Sequence, residues 1–357
     1  MFASNIRILL FYVEVGSMIS PELYSVIEGH YSVGSIQNTA ALTGGEWNQV
    51  FRLDCDKSAF VLHISHPTNT AASLAYEHRL LQFINRRVPE VPAPIVTHDG
   101  STYLQHHDLL ITLFPFMPGR MLDDNNEAEC LAAARMLARL QQIGLEYPDL
   151  SPRPNKRRFC KLDWENNDWW RWNEVEDLLF HRAEVFLETV SDPDNRALAE
   201  QIFAKQTFIA QERERLRDWV ATLRDSQRSP LFAPTHCDYW CNNILIKDGQ
   251  ISAVVDWDDC KAEWLFYALG RATWDFSKDK GQHRLNYQKA VRFLQAYQAA
   301  GGPVPSTDFT LLIPVMRCVC IIEVLIGLQE AEEFGLNKHI LHHLLSLENF
   351  RDAELVL

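Results

Sequence analysis

Between Thr235 and Asp259 the chain reads THCDYWCNNILIKDGQISAVVDWDD. His236, Asp238 and Asn243 fall within eight residues, and Asp256, Asp258 and Asp259 follow after one turn signal and one apolar run. Amide and carboxylate oxygens suit a hard divalent cation, and a carboxylate left outside its coordination shell can serve as a base. Phosphoryl transfer needs that combination: the cation neutralises a triphosphate while the separate carboxylate orients an attacking hydroxyl and accepts its proton. Mg²⁺ takes few protein ligands and keeps substrate oxygens, so one Asn and one or two Asp suffice. A metal hydrolase built on His236, Asp238, Asp256 and Asp258 is a second chemistry for the same residues. A zinc site from His236, Cys237, Cys241 and Cys260 is a third, but it lacks the C-x₂₋₄-C pairing of structural zinc modules.

Such residues work only if local structure brings them together. Ile244–Ile246 and Ile251–Val255 are short apolar runs, and Asp248-Gly249 between them is a strong hairpin signal. A hairpin there returns Asp256 toward Asn243, so His236, Asp238, Asn243 and Asp256 are expected to converge, with Asp258 and Asp259 beside them. Upstream, Gln49–Leu53 and Phe60–Ile64 flank a polar Asp/Lys/Ser turn and read as a second hairpin. Gly44 and Gly45 precede it, where glycine lets backbone N–H groups approach a phosphate. Alternation puts Val61, His63 and Ser65 on one face of the strand, and Phe60, Leu62 and Ile64 on the other. The helix expected from Ala71 to about Val88 carries Leu74, Leu81, Ile84 and Val88 on one stripe together with Glu77. An acid on an apolar stripe needs a partner, for which His63 is a candidate, or is a boundary Glu that reaches water.

A further strand, Leu109–Phe114, runs into PFMPGRMLDD, whose prolines and glycine mark a stiff connector and a lobe boundary. Beyond it the periodicity is helical: Cys130, Ala133, Ala134, Leu137 and Leu140 form a stripe, and runs of like character are expected near 176–192, 195–225, 282–300, 308–335 and 338–354. The expected domains are residues 18–115, binding nucleotide, and 116–357, carrying catalysis and the acceptor. Met18 opens a helix start with Ser20 as cap and Pro21 in the first turn, so residues 1–17 are expected to be a prefix dispensable to the fold. Four Trp among acids between Leu162 and Asp177 either pack as core or form an aromatic, anionic wall for a cation.

Composition narrows the partners. The chain has 357 residues, 47% of them hydrophobic and 11% aromatic, as in a folded globular protein of two lobes. Its net charge of -13 disfavours a nucleic-acid partner, because that affinity rests on cations meeting phosphates, and suits a cationic small molecule. The eight Cys are scattered, which reads as reduced thiols. The apolar run Ile8–Val13 is shorter than a signal-peptide core, and VMRCVCIIEVLIGL is interrupted by Arg317 and Glu323, so it reads as a buried helix too short to span a membrane. A cytoplasmic protein with no membrane partner is expected; oligomeric state is left open.

HCDYWCNN followed by VVDWDD resembles the catalytic and metal motifs of the aminoglycoside phosphotransferase and choline/homoserine kinase group, small-molecule kinases with a protein-kinase-like fold. The likeness runs in order from about Leu42 to Phe276. It implies an α+β, two-lobed fold, with a small N-terminal antiparallel sheet lobe carrying one helix and a larger, mainly helical C-terminal lobe. It implies Asp238 as catalytic base and His236 as brace of its loop. Asn243 and Asp256, with Asp258, become the Mg²⁺ ligands, and Gly44, Gly45, Val61 and His63 belong to the nucleotide-binding group, with Glu77 as partner of the strand residue that touches phosphate. Phe114, Phe116 and Met117 would meet the purine. ATP or GTP would be the co-substrate and a small hydroxylated, amine-bearing molecule the acceptor. An alternative is a homoserine- or choline-type metabolite kinase. A protein kinase is disfavoured, since no Ala-Pro-Glu segment follows Asp256. Three positions depart from the family pattern: His63 replaces Lys or Arg, Cys237 replaces Gly as a modest change in size, and Ala268 replaces an Asp that fastens the catalytic loop. These departures leave a weakened, nucleotide-binding pseudoenzyme as the other alternative.

Overall fold

The computed structural model describes residues 19–42, 48–154, 172–226, 230–279 and 281–350. Its contacts divide the chain into two units. The described residues of the first fall within Met1–Met121, Arg153–Asn155 and Ile244–Asp258; those of the second fall within Leu122–Pro152, Lys156–Asn243 and Asp259–Leu357.

The first unit begins with α1 (Pro21–His30), capped by Ser20, whose side chain accepts from Leu23 N, with Pro21 in the first turn. Five antiparallel strands follow: β1 (Ile36–Ala41), β2 (Gln49–Cys55), β3 (Ala59–Ile64), β4 (Leu104–His106) and β5 (Leu109–Pro115), in the spatial order β1-β2-β3-β5-β4. The period-2 pattern sends Leu62 and Ile64, with Phe51, Leu53, Ile111 and Leu113, into one core with Leu23 and Ile27 of α1. On the opposite face β3 places Val61 against Phe114 and His63 against Thr112 of β5. Helix α2 (Ala71–Asn85) lies over that face, where its His78 meets Thr112 and the ring of Phe114.

A second, small sheet of this unit joins β6 (Arg120–Met121), β8 (Ile244–Lys247) and β9 (Gln250–Val254). Asp248 and Gly249 turn the β8–β9 hairpin with φ of 51° and 75°, the left-handed pair that a two-residue hairpin turn requires. Gly119 is fixed by crowding, since a Cβ there would stand 2.6 Å from Ser252 Oγ and 3.1 Å from Ile246 O.

The second unit is mainly helical: α3 (Glu127–Leu145), α4 (Asn173–Phe180), α5 (Ala183–Thr189), α6 (Pro193–Phe203), α7 (Gln206–Asp225), α8 (Leu265–Ser277), α9 (Tyr287–Ala299), α10 (Leu312–Gln329), α11 (Ala331–Phe334) and α12 (Lys338–Asn349). All five stripe residues of α3 are buried. The runs expected at 176–192 and 195–225 are each two helices: the first breaks around 181–182, and the second at Ala204–Lys205. Asp192 caps α6 through Asn195 N, with Pro193 in its first turn, at the boundary expected between the two runs. The run expected from 282 opens as a helix only at Tyr287, after a two-residue ladder between Lys278–Asp279 and Arg284–Leu285.

Helix α10 is packed by α7, α8 and α12. With its leading 3₁₀ turn it spans Ser306–Gln329, long and apolar enough to cross a membrane, contrary to the shorter expectation; 78% of its apolar window is buried inside the protein. Its charges have partners there, Arg317 with Glu212 and Glu323 with Arg271. Cys318 and Cys320 are fully buried core residues, and burial pushes both thiols up.

Candidate functional site

In the second unit the catalytic-motif residues follow β7 (Phe232–Thr235), which pairs antiparallel with β10 (Lys261–Trp264). The loop is fastened from several sides. Tyr239, 3% exposed, donates to Ala133 O of α3 at 2.9 Å, and burial alone raises its phenol. His236, 1% exposed, accepts from Asp238 N at Nδ1, 3.3 Å away. Cys237 Sγ reaches Lys261 O at 3.8 Å.

Cys237 has φ 63°. The departure from glycine at this position is therefore a matter of backbone more than size, because a side chain in left-handed conformation costs about 1–2 kcal/mol.

Asp238 is held at both oxygens. Arg271 Nη2 of α8 donates to Oδ1 at 2.6 Å, and Asn243 Nδ2 donates to Oδ2 at 3.0 Å and to Asp238 O at 2.9 Å. The carboxylate stays 27% exposed, so lone pairs remain within reach of a hydroxyl. Asn243 thus gives its amide nitrogen to Asp238 twice, through the carboxylate and through the backbone carbonyl. Arg271 also lies 3.7 Å from Glu323, and Glu323 lies 3.8 Å from His339. Burial opposes the Arg271 charge, but Asp238, Glu323 and Asp275 outweigh it and hold the guanidinium above its usual range. Arg271 stands three residues past Ala268, nearly one helical turn, and ties the loop from the same helix on which the expected Asp is absent. No local sequence signal marked it.

The first unit holds the remaining candidates. Val61, His63 and Phe114 share the face of β3 and β5 opposite the α1 core, with the rings of His63 and Phe114 6.2 Å apart, edge to face. Phe116 N donates to Ala59 O, and Arg52 covers the Phe116 ring at 4.3 Å. Met117 follows in the connector, partly exposed. Gly44 and Gly45 lie outside the described residues, as do 162–171 of the Trp-rich stretch; the face of Trp172 is taken by Arg213, 5.2 Å away.

Glu77 is 3% exposed on α2, and its partner is Arg153, Nη2 to Oε2 2.7 Å. This corrects the expected pairing with His63, which reaches Glu77 only as a more distant field. Arg153 comes from the Pro-flanked stretch after α3, 76 residues away in sequence, and no local pattern foretells that approach. Burial and the nearby Asp258 charge push the Glu77 carboxyl up, against the pull of Arg153.

Asp256 follows β9 with φ 60°, a conformation that Asp tolerates better than most residues. Asp258 accepts from Asn48 Nδ2, and Asn48 Oδ1 accepts from His66 N at 2.8 Å. Thus Asp256 and Asp258 belong to the first unit and Asn243 to the second. By residue type, the carboxylates of Asp256 and Asp258 and the amide oxygen of Asn243 are donors that a hard divalent cation takes. The zinc quartet does not form a ligand cluster. Among the described residues the one group of three close metal-ligating side chains is Glu22, His106 and His107, largely exposed and sharing no residue with the motifs.

Residues 39–308 match the model of the phosphotransferase enzyme family. A homoserine kinase of Polaromonas naphthalenivorans (strain CJ2) is 24% identical over 286 residues, 80% of each chain. Among solved structures, an amicoumacin kinase in complex with AMP-PNP, Ca²⁺ and Ami superposes with a TM-score of 0.65 at 15% identity, covering 94% of this chain and 92% of that one. A spectinomycin phosphotransferase with ADP and spectinomycin gives 0.64 at 12% identity, covering 94% and 95%.

Proposed function

Because the chain belongs to the phosphotransferase enzyme family, we propose that it transfers the γ-phosphate of ATP to a hydroxyl of a small, polar, amine-bearing acceptor. The observation that carries this reading is the state of Asp238: both oxygens oriented by Arg271 and Asn243, yet open to a further donor. A loose phosphoryl-transfer transition state asks mainly for positioning and charge, so a carboxylate fixed in direction serves it even beside a guanidinium. Asp238 accepts the hydroxyl proton, His236 and Asn243 hold its backbone, and Arg271 holds its side chain. The proposed Mg²⁺ ligands are Asn243 of the second unit and Asp256 and Asp258 of the first; when bound, the ion neutralises phosphate charge. The proposed phosphate group is Gly44, Gly45, Val61 and His63, with Phe114, Phe116 and Met117 toward the purine.

An amine-bearing acceptor is supported by the net charge of -13 and by the acceptors of the similar proteins, an amino acid and aminated antibiotics. Homoserine therefore leads the panel that tests the proposal, with choline, aminoglycosides, spectinomycin and amino sugars behind it. ATP-dependent appearance of a phosphorylated product supports the reading. ATP hydrolysis that no member stimulates, alongside metal-dependent cleavage of phosphoesters, would favour a hydrolase instead.

A further inference from the structure

Arg153 has more partners than an ion pair needs. Its side chain is 1% exposed, and its fork is used on three sides: Nη2 to Glu77 Oε2 at 2.7 Å, Nε to Ser73 Oγ at 2.8 Å, and Nη1 to the carbonyls of Asp258 at 2.5 Å and Trp257 at 3.4 Å. Two partners lie on α2; the other two are consecutive backbone carbonyls immediately after Asp256. A buried ion pair is weak evidence of stability, because desolvation offsets much of its Coulomb gain. The carbonyl contacts have a different consequence. They fix the peptide planes that follow Trp257 and Asp258, just past Asp256 at φ 60°, a conformation that persists only where its surroundings over-determine it.

We propose that Arg153 is a positioning residue for the loop carrying Asp256 and Asp258. It takes the place of the strand cation as partner of Glu77, and it locks α2 to the Trp257–Asp258 backbone so that the two acids are presented to the nucleotide-bound cation. The proposal rests on the kinase reading. Arginine is required because a planar fork reaches carboxylate, hydroxyl and carbonyls at once, whereas an ammonium at the end of a flexible stem does not.

Affinities for AMP-PNP with Mn²⁺ and for AMP-PNP without metal, measured by calorimetry on the full chain, test it, with thermal melts as the check of folding. R153K keeps the charge and loses the fork: it is expected to weaken Mn²⁺·AMP-PNP about tenfold while moving metal-free AMP-PNP less than about twofold. Because Arg153 and Glu77 act as one unit, the R153K/E77Q double variant should be no worse than the poorer single variant within about twofold. A folded R153K with unchanged Mn²⁺·AMP-PNP affinity, or with equal losses with and without metal, overturns the proposal. Should R153K fail to fold, S73A removes one contact without orphaning a charge; a metal-selective loss of about threefold supports the lock, and no loss overturns it. Wild-type protein that binds no Mn²⁺·AMP-PNP overturns the kinase reading and this proposal with it, whereas a wild-type binder with an indifferent R153K overturns this proposal alone.

Discussion

Each unit contains an acid gripped by an arginine from a distant segment, and the two grips differ in access to water. Glu77 and Arg153 have side chains 4% and 1% exposed, and the guanidinium finds acceptors in every direction. Asp238 and Arg271 are 27% and 15% exposed, and Arg271 makes one hydrogen bond while a second acid, Glu323, stands 3.7 Å off. A closed pair fixes geometry and cannot exchange protons with a substrate; an open pair can be oriented and still react. The difference suits the first pair to holding and the second to the chemistry proposed for it.

The strongest way to break that assignment is D238N. It removes the proton acceptor while keeping the shape, and should lower kcat about 10²–10⁴-fold in the acceptor assay; an unchanged rate would remove Asp238 as the base. R271A should follow, at up to about a hundredfold in kcat/KM through misorientation of Asp238, with partial recovery in R271K. An R271A enzyme as active as the wild type would show that Asn243 alone suffices to orient the acid.

Acid stability sharpens the contrast from the side of the closed unit. His78, 1% exposed between Thr102 and Thr112, has its imidazole lowered to about 3, chiefly by burial and then by the fields of His63 and Arg153. A depressed folded value means that the unfolded chain binds the extra proton first. The stability is present above about pH 6.5 and is lost as pH falls below it, by about 1.4 kcal/mol per unit for this one group. Melting temperatures from pH 7.5 down to 5 should show the decline, and H78Q should flatten it.

Smaller effects probe local fit. C237G relieves the left-handed side chain at φ 63° and should raise stability by about 1 kcal/mol at most, since glycine also frees the unfolded chain; a loss in the melt would mean that the Sγ contact to Lys261 O outweighs the strain. H63K should leave activity unchanged or raise it a few-fold, since an ammonium grips phosphate more firmly than an imidazole; complete loss would show that position 63 needs the imidazole itself and not simply a cation.

Local elements were legible where one short-range rule dominated. Ser20-Pro21 set the start of α1, Asp248-Gly249 set the β8–β9 turn, and alternation along β3 separated Leu62 and Ile64 from Val61 and His63. The α3 stripe was equally clear. The helix breaks near 181–182 and 204–205 were not, because exposed polar residues interrupt a period without announcing a stop. Glu77 was marked as needing a partner by its place on an apolar stripe, but the nearest cation in the local pattern, His63, was the wrong one.

By itself the sequence determined the element types and the order of the motifs, because propensity, capping and periodicity act over a few residues and chain order is covalent. It also determined that Asp238 and Asn243 stand one short turn apart, close enough to share a hydrogen bond. Only the tertiary structure decided which cations neutralise the acids. Arg153 reaches Glu77 across 76 residues and Arg271 reaches Asp238 across 33. Such pairings depend on how whole elements pack, and the energy of burying a charge is settled by whatever opposite charge the packed chain delivers, at any distance along the sequence.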